Sequence, residues 1–321
     1  MRILERFGIV LILVGISALM ALLAPVFLSP QNLFNVLLQV SINAIVAVGM
    51  TFVILTAGID LSVGSVVALV AVTVGSALHA HAGTFVSILT GLAAGGICGI
   101  VSGFLIAQCK VPAFITTLGM MSVARGLALI ITGGQTIHEF PPAFRFLGTG
   151  YVGPIPVPAM CALLVVGVAW YVLSQTKFGR HIYAVGGNRE AVRLSGINVS
   201  RVEIAAYAIC GLTSALGAII LVGRLNAAQP IAGCGYELNA IAAAIIGGTS
   251  LSGGEGSVFG TLVGALIMGV LQNGLTLLNV SSYIQQLIIG SVIVLAVMLD
   301  QMRKGRVSIP WMRMKKTARQ Q

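Results

Sequence analysis

Side chains able to do chemistry are few in this chain of 321 residues. The most suggestive stretch is Leu251-Ser-Gly-Gly-Glu255, one residue away from the L-S-G-G-Q peptide that closes over ATP in many ATPases. Nucleotide hydrolysis also needs a phosphate cradle, commonly G-x-x-x-x-G-K-[S/T]. None of the five lysines (Lys110, Lys177, Lys304, Lys315 and Lys316) follows a glycine, so that cradle is missing. Residues 248–257 instead join two apolar runs, where glycines permit a tight turn and Ser or Thr hydroxyls can satisfy broken backbone ends. The four histidines, His79, His81, His138 and His181, stand in no H-E-x-x-H arrangement and read as solvated loop residues. Five cysteines show no C-x-x-C spacing and read as free, small core residues. No catalytic residue, metal or cofactor is expected.

The elements around these residues are overwhelmingly apolar. The chain is 57% hydrophobic and only 8% charged, against about 25% charged in soluble domains. So few charges cannot clothe a water-soluble surface. The alternative solvent is lipid, which asks about 20 apolar residues of each spanning helix. Apolar runs fall near 8–28, 33–57, 60–79, 84–108, 112–132, 157–174, 203–223, 238–249, 257–278 and 283–299. The first is too long for a cleaved signal segment and is read as a span. The eighth is shorter than a span needs, so it is either re-entrant or broken.

Charge placement decides how many runs cross. With all ten crossing and the N-terminus inside, the inner face holds eight basic residues up to Arg201 and seven in the tail from Arg303 to Arg319. That is 15 of the 18, leaving Arg145 and Arg224 outside and Arg125 within a span. Skipping the eighth run would turn the basic tail outward, against the positive-inside rule. The expectation is an all-α polytopic membrane protein with about ten transmembrane helices and both termini cytoplasmic. The net charge of +10 sits in loops and tail and forms no basic face, so nucleic acid is not an expected partner.

Within the spans, Gly91, Gly95, Gly99 and Gly103 recur every fourth residue, a stripe that lets helix backbones approach closely. Asn43-Ala-Ile followed by Gly58-Ile-Asp-Leu-Ser is echoed by Asn239-Ala-Ile followed by Gly248-Thr-Ser-Leu-Ser, which suggests a duplicated unit. Asp60 and Ser62 lie in the first of these breaks. Asp60 either caps free N–H groups of the following helix or takes part in gating. Arg125 in mid-span calls for a carbonyl-rich break or a carboxylate to hold it. Asn43, Asn239, Gln272 and Asn273 are buried amides that either line a pathway for a hydroxyl-rich solute or tie neighbouring helices. Arg145, Arg224 and Glu237 are read as outer charges, free in loops or meeting a docking protein.

Ionisable relays of the kind that couple protons or sodium are absent from the spans, so energy is expected from another subunit. The loop 175–202 can receive it. Asn188 can cap a short helix that Gly196 ends, with Ala191, Leu194 and Ser195 on one small or apolar face. That helix either lies in a partner's groove or is solvated loop.

The pattern Gly187-Asn188-x-x-Ala191-x-x-Leu194-x-Gly196-Ile197 resembles the cytoplasmic coupling segment of ribose-type sugar permeases of ABC importers. Asn43 through Ser65, Pro112 through Gly126, Gln229 through Leu238 and Gly247 through Gly254 resemble the same family, and the likeness spans roughly 30–300. It implies a vitamin-B12-permease-like architecture in the bacterial inner membrane. It also implies a homodimer of permeases, separate ATPase subunits and a periplasmic sugar-binding protein. ATPase coupling would fall to Gly187, Asn188, Glu190, Ala191, Arg193, Leu194, Gly196 and Ile197. The chain then divides into a permease domain, 1–302, and a basic tail, 303–321. The alternatives are a secondary transporter or facilitator of a small polar solute, and an ABC permease for another sugar or a furanone signal.

Overall fold

A computed structural model describes residues 2–303, and each of the ten apolar runs coincides with a helix. In chain order these are α1 (Arg2–Leu23), α2 (Pro30–Leu55), α3 (Val63–His79), α4 (Thr84–Ala107) and α5 (Ala113–Thr132), then α7 (Val157–Gln175), α10 (Val199–Leu225), α11 (Tyr236–Ile246), α12 (Val258–Leu277) and α13 (Ser282–Arg303). Seven are long and apolar enough to cross a membrane. The apolar part of α1 (Gly8–Leu23), α3 and α11 are shorter. Between spans lie α6 (Pro142–Thr149), α8 (Lys177–Gly187) and α9 (Arg189–Leu194). Two small antiparallel pairs join β1 (Ile137–His138) to β4 (Ala227–Ala228) and β2 (Tyr151–Val152) to β3 (Ile155–Pro156). The tail beyond Arg303 lies outside the described residues.

Of the seven long helices α2 and α10 are the most enclosed and α13 is the least. The glycine stripe of α4 explains how α10 comes so close. A Cβ at Gly95 would overlap the Gly211 and Ala215 positions of α10, and at Gly99 it would stand 2.9 Å from the Tyr207 carbonyl carbon. Gly91 turns toward Val70 and Val74 of α3. Where lipid is as apolar as the side chains, such backbone proximity is what holds helices together.

Loops gather at two ends. At one, Leu55, Gly186 and Gly254 meet, and the Ser200 hydroxyl donates to Ala107 O (3.2 Å). At the other, β1 pairs with β4, His79 Nε2 lies 2.7 Å from His138 O, and the Phe140 N–H donates to Asn226 Oδ1 (2.9 Å). The first carries Lys110, Lys177, Arg180, Arg189, Arg193 and Arg201, so it is called the inner end. The echoed sequences are both helix–break–helix units, α2–α3 and α11–α12. They lie side by side, with the Thr51 and Thr261 hydroxyls 2.7 Å apart.

Candidate functional site

The inner end is built around the segment between α7 and α10. Thr176 caps α8 by accepting from the Gly179 N–H (3.1 Å), and Phe178, Ile182 and Val185 recur at helical spacing to bury one face. Asn188 ends α8 and begins α9, its Oδ1 accepting from the Ala191 N–H (3.0 Å). At the far end Ile197 N–H donates to Val192 O and Gly196 N–H to Arg193 O, with Gly196 at φ 78°, a Schellman stop. Val192 turns inward. Asn188, Glu190, Ala191, Arg193 and Leu194 face water, Leu194 at 74% exposure. Arg193 pairs with Glu190 on the same helix, and these hydrogen bonds hold the Glu190 carboxyl below its ordinary value. Arg189 reaches Glu203 of α10 (2.8 Å). Sequence periodicity in a run rich in glycine and charge left α8 unrecognised, although its buried Ile182 and Val185 and its half-buried Phe178 carried the signal.

Beneath this segment lie both inner breaks. Residues 56–62 leave α2 and fold back into the bundle, and residues 247–257 link α11 to α12. Gly254 N–H donates to Leu55 O (3.0 Å), and the Tyr183 hydroxyl donates to Gly256 O (3.0 Å). A cavity of about 440 Å³ opens beside the first break, lined by Gly58, Lys110, Gly186, Arg189, Glu203 and Tyr207 among others.

Asp60 is 2% exposed at the head of α3. Its Oδ1 accepts from the Ser62 N–H (2.9 Å) and hydroxyl (2.6 Å). The carboxylate's contact is thus with Ser62, the residue just ahead of α3. Ile59 O, one residue earlier, accepts from the Tyr207 hydroxyl (3.4 Å) and lies 3.5 Å from Thr117 Oγ1. The Tyr207 bond is long, and the Thr117 hydroxyl donates its proton to Ala113 O (2.9 Å).

A second discontinuity precedes α11. Eleven helical residues at 1.5 Å each span about 16 Å, roughly half the hydrocarbon core. Residues 229–235, a run of turns closed by the Ala232 N–H to Gln229 O and Tyr236 N–H to Gly233 O bonds, lead down from β4 at the outer end. Arg125 of α5 holds them, one guanidinium nitrogen donating to Pro230 O (2.8 Å) and Ala232 O (2.9 Å). The backbones of Gly233 and Gly64 touch where α11 and α3 begin, and the Glu237 carboxylate lies against Gly64. Glu237 therefore does not share the outer rim with Arg145. Its helix starts within the bundle because the preceding residues form turns, with Gly233 and Gly235 at positive φ, rather than helix.

The amides tie helices together. Asn273 and Asn32 exchange two hydrogen bonds (2.9 and 2.8 Å), while Gln272 accepts from Gln39 and donates to Asn239, both at 3.3 Å. Asn43 is buried on α2. Sequence reading missed Asn32 and Gln39, whose partners lie more than 200 residues away. At the outer end Arg145 and Asn226 line a cavity of about 570 Å³ with His79, His81 and Glu139, and Arg224 closes α10 nearby. Of the cysteines, Cys98 and Cys210 are buried, whereas Cys109 and Cys234 are exposed because they fall in loops.

An apolar bundle with broken helices inside and an exposed helix at its inner end defines a polytopic permease. Residues 32–297 match the family described as branched-chain amino acid transport system / permease component, and the chain belongs to it. It is similar to the ribose import permease protein RbsC of Escherichia coli K12, with 47% identity over 94% of both chains. RbsC of Bacillus subtilis 168 is 46% identical over 94% of this chain and 95% of its own. The L-arabinose ABC transporter permease protein AraH of Azospirillum brasilense is 37% identical over 95% and 90%. No solved structure matches the chain. It is a multi-pass protein of the inner membrane.

Proposed function

We propose that this chain is the membrane-spanning subunit of an ABC importer that moves a monosaccharide of the ribose kind by alternating access. The observation that carries the reading is the inner-end segment, whose α9 presents Leu194 and Ala191 to water while α8 rests on both inner breaks. A soluble ATPase seated on α9 would act on the breaks through α8. Gly187, Asn188, Glu190, Ala191, Arg193, Leu194, Gly196 and Ile197 form that seat. Ribose is the first candidate substrate, since the relatives sharing almost half their residues are ribose permeases.

Ten crossings place both termini in the cytoplasm, with 229–235 and α11 together making one span in a vitamin-B12-permease-like arrangement. Two copies pair, and a periplasmic sugar-binding protein docks on the outer end near Arg145 and Arg224. The amides Asn43, Asn239, Gln272 and Asn273 contribute through helix ties that rearrange during opening. Asp60 and Ser62 stand just ahead of α3 beside the gate.

Purification of a tagged copy from its host in mild detergent tests this reading. A co-purifying ATPase whose turnover rises with a D-ribose-loaded periplasmic protein is the expected result. A lone protein that equilibrates ribose across vesicles without ATP would make it a facilitator instead. Arg193→Glu places two acids together on α9 and is expected to lower the yield of bound ATPase. An unchanged yield removes Arg193 from the seat.

A further inference from the structure

Three stretches of main chain meet at the inner end with no room for a side chain between them. Gly186, at the end of α8, is in backbone contact with Leu55 O of the first break, and a Cβ placed on it would stand 2.5 Å from Gly254 N of the second. The two breaks are themselves joined by the Gly254 N–H to Leu55 O bond. Across the same junction, a Cβ at Gly253 would lie 2.8 Å from Ala57 N and 2.9 Å from Gly186 Cα. One turn earlier on α8, the Tyr183 hydroxyl fastens Gly256 O.

We propose that Gly186 is the positioning residue through which a movement of the inner-end segment reaches both breaks at once. This rests on the importer reading given above. Contact between backbones has no rotatable side chain to absorb a displacement, and packed interiors transmit small shifts. A further link from this segment to the bundle, Arg189 to Glu203, runs through two long side chains and can flex. The breaks are the compliant partners, because they lack the continuous i→i−4 bonds of a helix. A shift of α8 therefore displaces Leu55 and Gly254 together, which moves the lead-ins to α3 and α12 in one step.

The test is Gly186→Ala in the reconstituted complex with its ATPase and binding protein, with D-ribose as the probe. Gly167→Ala, in α7 where an added Cβ meets nothing within 4 Å, is the control. Gly186→Ala is expected to keep ATPase bound and hydrolysing while ribose moved per ATP falls about tenfold. The control keeps the wild-type ratio. Tyr183→Phe, which adds no bulk, is expected to lower the ratio about twofold to threefold, and it decides alone if Gly186→Ala does not fold. A ratio equal to wild type in the folded variants overturns the proposal, as does a parallel loss of hydrolysis and transport at constant ratio. Failure of the wild-type chain to bind any ATPase would instead overturn the importer reading beneath it.

Discussion

The chain is broken ahead of α3 and again ahead of α11, and different chemistry holds each gap. Both expose carbonyls where water is scarce, and an unmet backbone group in hydrocarbon costs several kcal/mol. Ahead of α11 a guanidinium answers, giving charge-assisted bonds of 2.8 and 2.9 Å to Pro230 and Ala232. Ahead of α3 the donor to Ile59 O is the neutral Tyr207 hydroxyl at 3.4 Å, the Thr117 hydroxyl giving its proton to Ala113 O (2.9 Å), with Asp60 turned onto Ser62 of its own segment. A short charged tie fixes its gap. A long neutral one releases its gap easily, and this looser gap is the one that the inner-end segment touches.

Arg125→Met should break the contrast most severely. It strips both carbonyls of their donor and is expected to cost about 3 kcal/mol, read as a lower melting temperature in detergent with transport lost. Arg125→Lys, which keeps a donor at that depth, should recover part of it. If Arg125→Met melts like wild type, the lead-in to α11 is held by something else.

Asp60 comes next. Asp60→Ala removes the acceptor for Ser62 and is expected to cost about 1 kcal/mol, whereas Asp60→Asn keeps an oxygen there and should stay close to wild type. Transport abolished in a stable Asp60→Asn protein would mean that the charge itself works in gating, which would sharpen the view of this gap as the moving one. Tyr207→Phe deletes a single long bond, so a loss of about 0.5 kcal/mol is expected. A loss several times larger would show that the gap ahead of α3 is held as firmly as its counterpart.

The smallest effect concerns α9. The Arg193 bonds lower the Glu190 carboxyl, so their contribution is present above the ordinary carboxylate value and disappears as pH falls through the lowered one. Both side chains are exposed, and exposed pairs are worth little. Melting of wild type and Glu190→Gln should differ slightly at neutral pH and coincide in acid. A gap that widens in acid would contradict the sign.

Much of this was legible in the residues. Apolar length located the seven helices long enough to cross and the three shorter apolar ones, because lipid permits helices and little else. The cap at Asn188, the stop at Gly196 and the glycine stripe are local or periodic signals, and they read directly. Arg125 announced a need for carbonyls, although not which ones. What stayed hidden depends on pairs distant in sequence. Gln272 meets Gln39 and Asn239, and Gly186 meets Leu55 and Gly254, through packing that no short window encodes. Glu237 was misplaced for a related reason: hydropathy gives the length of α11 but not the depth at which it begins.

That depth bears on how the protein is made. Eleven residues hold a span poorly by themselves. α11 lies against α12, where Ala243 and Gly247 meet Gly264 and Gly260, and its approach is strapped by Arg125 from α5. The strap is synthesised long before α11, but the supporting helix follows it. Released chains that end at residue 250 should therefore leave α11 accessible to aqueous labelling, and released chains that end past residue 278 should protect it. On that expectation this segment is held in the membrane only once the helix after it is made, and the membrane form of the C-terminal third is settled late and as a unit.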